Sequence, residues 1–94
     1  MNLYLISQNI VNGYDTYDSA VVSAETSEEA RTIHPSAYVT HIDNNNWMGG
    51  DFSRTYINNE SSWVRCDQLE DISVELLGTT LRGKGLIFSS FNAG

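Results

Sequence analysis

The fold of this chain is restricted most by Asn12-Gly13, a pair placed between two apolar, β-forming runs. Both residues tolerate positive φ, so the pair marks a hairpin turn. The flanking runs are Leu3-Tyr4-Leu5-Ile6-Ser7-Gln8 and Ala20-Val21-Val22-Ser23-Ala24, expected to form an antiparallel pair. The first run is apolar on both alternating faces, which suits a central strand. The connection is longer than a turn requires. Tyr14-Asp15-Thr16-Tyr17-Asp18-Ser19 adds stacking and hydrogen-bonding groups, and binding residues tend to lie on loops.

Thr26-Ser27-Glu28-Glu29 is a capping box, in which Thr26 accepts from the Glu29 N–H and Glu29 reaches back to the Thr26 N–H. It predicts a helix over residues 27–33, with Ala30, Ile33 and His34 toward the sheet and an end enforced by Pro35. Residues 36–66 are rich in Asn, Gly and Ser, and a structureless loop of that length is unusual in a small domain. The expectation is an inserted hairpin or flap with ribbon strands at 38–42 and 54–57. Its tip falls near Asn46-Trp47-Met48-Gly49-Gly50, where Trp47 acts as a lid or a protein contact. Trp63 to Glu70 reads as a short helical turn, Ile72 to Leu76 as a half-buried strand, and Leu86 to Phe91 as the last strand. The order predicts one α+β domain: an antiparallel sheet of about four main strands, one short helix on one face, and the 36–66 flap.

Charge narrows the function. Twelve acids against five bases give a net charge of -7, which disfavours nonspecific nucleic-acid binding. Met1-Asn2-Leu3-Tyr4 opens into a strand without a basic leader or a long apolar stretch, so the expectation is a cytoplasmic protein with no membrane association. Cys66 is the single cysteine, which excludes an internal disulfide and a cysteine zinc cluster and reads as a small core residue. Asn59-Glu60-Ser61 matches a glycosylation acceptor, idle in that compartment.

Gly78-x4-Gly83-Lys84 has the outline of a phosphate-binding P-loop, but Gly85 replaces the magnesium-holding hydroxyl and a strand follows in place of a helix. A hairpin turn is the simpler reading. Arg82 and Lys84 can still neutralise an anion beside glycine N–H groups. Asp15 and Asp18 can shape their own loop, hold a cation, or accept from ligand hydroxyls and amines. Tyr14, Tyr17 and Trp47 can stack on a planar base or pack on the core. His34 reads as a helix-end cap and His41 as an exposed strand residue; no catalytic triad is defined.

Four segments together resemble a family of small uncharacterised phage and prophage proteins. They are Gly13-Tyr14-Asp15-Thr16-Tyr17-Asp18-Ser19-Ala20-Val21-Val22, Glu29-Ala30-Arg31-x-Ile33-His34-Pro35, Val74-Glu75-Leu76-Leu77-Gly78 and Gly85-Leu86-Ile87-x-Ser89-Ser90-Phe91-Asn92-Ala93-Gly94. The resemblance covers both ends of the chain and little of 36–66. It transfers no residue role. It implies a phage context, in which small acidic proteins often block host defence, either by sequestering a nucleotide-derived immune signal or by covering a nuclease.

The resulting expectation is a non-enzymatic, counter-defence binding protein without a cofactor or metal, acting as a homo-oligomer on a small nucleotide-type ligand. The candidate ligand-binding residues are Tyr14, Asp15, Tyr17, Asp18, Trp47, Arg82, Lys84, Phe91 and Asn92. Trp47 and Met48 are the candidate apolar contact between copies. The alternative is an acidic inhibitor whose Glu25, Glu28 and Glu29 engage a basic groove on a defence nuclease or CRISPR complex.

Overall fold

The two apolar runs form strands β1 (Asn2–Ser7) and β2 (Thr16–Ala24), paired antiparallel with Leu5 opposite Val21. The computed structural model describes residues 1–11, 16–36, 39–49, 55–56 and 63–92, with the backbone alone for Thr55, Tyr56, Phe91 and Asn92. The Asn12-Gly13 turn therefore lies outside the described residues, as do Tyr14 and Asp15. Strand β2 begins earlier than its apolar run suggests. Thr16 to Ser19 pair with the last strand, so Tyr17 and Asp18 belong to the sheet and not to a loop.

Thr26 starts helix α1 (Ser27–Ala30), its hydroxyl accepting from the Glu29 N–H at 3.1 Å. The Glu29 carboxylate closes the box on the Glu25 N–H at 3.1 Å, one residue before the expected partner. The α-helix is one turn, shorter than the expected 27–33. Beyond it the Thr32 and Ile33 N–H groups bond to the Glu29 and Ala30 carbonyls, a tighter pattern that carries the chain into His34-Pro35.

Strands β3 (Val39–Asp43), β4 (Asn46–Gly49) and β5 (Thr55–Tyr56) form a second sheet, in that order and antiparallel. The turn between β3 and β4 lies at Asn44 and Asn45, with φ of 51° and 62°. Two successive positive-φ residues are what a tight twisted hairpin needs, and asparagine tolerates them. The tip is thus upstream of the expected 46–50, and Trp47 belongs to a strand.

A 3-10 helix (Cys66–Asp71) leads into β6 (Ser73–Thr79), which pairs with β1, and β7 (Gly85–Asn92) pairs with β2. The main sheet has the order β6-β1-β2-β7, all antiparallel. The expected α+β class and four-stranded sheet are present.

One buried cluster joins these parts. Tyr4, Ile6, Ala20, Val22 and Ala24 on one face of the main sheet meet Ala30, Ile33, Val39, Trp47, Trp63, Val64, Cys66 and Ile72. Arg31 fastens α1 to the start of β6 by donating to the Ile72 carbonyl at 3.3 Å. No helix among the described residues is long and apolar enough to cross a membrane.

Candidate functional site

Strand register decides which candidate residues meet. Tyr17 lies opposite Phe91 and Thr16 opposite Asn92, whereas Gly85 lies opposite Ser23. Along β2 the two ends are roughly 20 Å apart. The Arg82–Lys84 turn is therefore at one end of the main sheet, and Tyr17, Asp18, Phe91 and Asn92 are at the other. Among the described residues, the backbone of one chain does not bring Tyr17, Asp18, Phe91 and Asn92 together with Arg82 and Lys84. Antiparallel pairing of β7 with β2 is the cause, since it puts the start of β7 beside the end of β2.

Trp47 is neither a lid nor an exposed contact. It is 3 % exposed, and its indole N–H donates to the Val64 carbonyl at 3.0 Å. The Asn44–Asn45 turn sets the register of β4 so that Trp47 faces the core, with Met48 half-buried beside it. Asp18 is exposed, and Tyr17 is half-buried against the core.

The structure brings Lys84 to a cleft of about 810 Å³ between the exit of α1, strand β3 and the start of β7. Thr32, His34, Ser36, Thr40 and His41 supply its polar wall, and Ile33, Val39, Ile42 and Leu86 its apolar wall. No carboxylate lines it among the described residues, in a chain with twelve acids. The volume falls in the range of small-molecule sites. Neither Lys84 nor Arg82 forms an ion pair among the described residues, where the one surface pair is Arg65 with Asp67 at 3.4 Å. The Arg82 backbone is fixed: its carbonyl accepts from the Ser23 hydroxyl, and its N–H donates to the Thr80 hydroxyl.

His34 is the residue whose importance the sequence did not signal. Its ring lines the cleft and is surrounded by aromatic groups: Tyr17, Trp47 and Trp63, at centroid distances of 6.2, 4.9 and 6.3 Å. Desolvation lowers its pKa to about 4, so the ring is neutral at physiological pH. The Ser36 N–H donates to Nδ1 at 2.9 Å, which assigns the ring proton to Nε2. His34 thus links Tyr17, under the main sheet, to the cleft that holds Lys84.

Two nucleophile candidates separate on environment. Burial and the neighbouring Asp67 push the Cys66 thiol up to about 11, so it is a protonated core residue. The exposed Thr40 hydroxyl lies 2.9 Å from His41 Nδ1, the spacing of a nucleophile and its base, with no carboxylate holding the other ring nitrogen among the described residues. The P-loop outline ends in β7 and not in a helix, so it lacks the phosphate-binding helix terminus. Among the described residues no group of three His, Cys, Asp or Glu is placed to hold a metal ion.

Gln8 is a second residue that the sequence reading passed over as a strand end. Its side-chain amide donates to the carbonyls of Val11 and Tyr17 at 2.7 and 2.9 Å. Its oxygen accepts from the N–H groups of Ile10 and Val11 at 2.8 and 2.7 Å. One side chain therefore builds the turn after β1 and fixes it to β2.

Comparison of the chain with protein-family models, curated proteins and solved structures gives no match.

Proposed function

We propose that the protein sequesters a small anionic ligand of nucleotide type, without turnover, in the cleft between α1, β3 and the start of β7. The observation that carries this reading is the charge of the cleft: among the described residues, a strongly acidic chain places a lysine and no carboxylate on it. Lys84 neutralises phosphate, the exposed His41 ring offers a stacking surface, and Thr32 and Thr40 bond sugar or phosphate oxygens. Ile33, Ile42 and Leu86 exclude water from the base. The buried, neutral His34 supports the wall and contributes an uncharged N–H donor.

The resemblance to phage proteins supplies the setting: a counter-defence protein in the cytoplasm of a bacterial host, removing an immune signal and acting as a homo-oligomer. The reading includes no cofactor and no nonspecific nucleic-acid binding. Native mass spectrometry of protein purified from its host tests it, because retained ligand and oligomer size are read together. Intact nucleotide released by heat supports sequestration. A cleaved product converts the Thr40–His41 pair into a catalytic candidate, and empty protein after exposure to cyclic dinucleotides removes the reading.

A second reading, inhibition of a basic nuclease groove, is favoured by the exposed Glu25 before α1 and Glu28 within it. Glu29 is committed to the helix cap, so charge reversal at Glu25 and Glu28 alone is the clean test. Loss of nuclease inhibition together with a steep salt dependence supports this reading.

A further inference from the structure

Among the described residues strand β7 is an edge of the main sheet, and residues 85–92 contain no charged residue and no proline. Monomeric proteins usually protect such an edge with lysine, proline or a covering element. Here Phe88, near the strand's centre, is 65 % exposed on the sheet face opposite the core, in a cross-strand row with Val21 and Leu5. A bulge at Ile87 bends the first part of the strand, a second register shift opposite Asp18 separates Ser90 from Phe91, and 88–90 is the regular stretch between them.

We infer that β7 pairs antiparallel with β7 of a second copy across a two-fold axis, joining two four-stranded sheets into one. This rests on the oligomeric part of the proposed function and names its surface. An antiparallel edge is self-complementary, so it closes as a dimer without further growth. Charge selects the second copy as the occupant. Arg82 and Lys84 precede the strand, and the exposed Asp18 lies on β2 beside its far end. Antiparallel pairing sets the cationic end of each chain against the Asp18 end of the other.

The opposite edge lacks this complementarity. Strand β6 carries Glu75 near its middle, so self-pairing there opposes two carboxylates, with Asp67, Glu70 and Asp71 exposed on the preceding helix. Pairing through β7 also places Tyr17, Asp18 and Asn92 of one copy at the Arg82–Lys84 end of its partner. The candidate groups that one chain holds at opposite ends of its sheet are then brought together between two chains.

Light scattering of the full chain at about 100 µM, with hydrogen exchange at high and low concentration, tests the surface. The expected result is twice the chain mass, with concentration-dependent protection confined to amides of β7. Phe88→Lys, at an exposed position, is expected to give a folded monomer by circular dichroism. Lys84→Glu is expected to weaken the dimer several-fold, and adding Asp18→Lys is expected to restore it. A monomer at that concentration overturns both the inference and the oligomeric reading. A dimer that persists in Phe88→Lys, or that protects β6 in place of β7, overturns this surface alone. Both results are independent of ligand binding.

Discussion

His34 stands edge-on to Trp47, with ring centroids 4.9 Å apart and planes at 80°. The contact ties the wall of the cleft to the core of the second sheet, since Trp47 is itself anchored to the Val64 carbonyl. It also makes the cleft sensitive to acid. The unfolded chain protonates this ring near 6.5, and the folded chain does not until about 4. Between those values the unfolded state binds more protons, so stability is fully present above 6.5 and declines as pH falls toward 4. The decline expected from His34 is roughly 3 kcal/mol. Urea unfolding at pH 7 and pH 4.5 measures it, and His34→Phe should flatten the difference relative to the native chain.

The two buried tryptophans should respond differently to the same change. Trp47 donates to Val64, whereas Trp63 Nε1 is buried with no hydrogen-bond partner among the described residues. Replacement by phenylalanine removes similar area at both sites. Trp47→Phe should therefore cost about 1 kcal/mol more than Trp63→Phe, the net worth of one hydrogen bond. Denaturation midpoints at constant m-value compare the pair. Equal costs would contradict the hydrogen-bond assignment.

Gln8→Ala removes four hydrogen bonds in the turn after β1. The turn is partly open to water, which replaces some of them, and the expected loss is about 1–2 kcal/mol. Amide exchange at Ile10 and Val11 should accelerate. Gln8→Glu keeps the acceptor and sets a carboxylate against the Val11 and Tyr17 carbonyls, so it should not restore the native chain.

Thr26→Ala should destabilise the protein by about 1 kcal/mol, because the Glu29 N–H loses its cap. Thr26→Ser keeps the hydroxyl and should recover most of that loss in the same thermal-unfolding measurement.

The sequence signalled local structure better than assembly. Apolar β-forming runs at residues 3–8 and 20–24 and alternation at 72–76 marked three strands, and the capping box marked α1, because these signals come from neighbouring residues. The length of β2 was hidden, since Thr16 to Ser19 become strand by pairing with residues distant in sequence. The placement of Trp47 depended on which asparagines took the positive-φ turn, and a short shift moved it from a tip to the core. The separation of Lys84 from Asp18 within one chain followed from strand order alone. His34 was invisible as a link because its partners, Tyr17, Trp47 and Trp63, are brought together only by the tertiary fold.

The cleft between α1, β3 and the start of β7 is proposed to bind a nucleotide-type anion through Lys84. Calorimetric titration of the native chain and of Lys84→Ala with a panel of cyclic dinucleotides and cyclic ADP-ribose isomers measures it directly. The account predicts saturable, stoichiometric heat from at least one member of the panel, weakened tenfold or more in Lys84→Ala, with the ligand recovered chemically intact. Absence of heat from every member, or equal affinity in the two proteins, would contradict it.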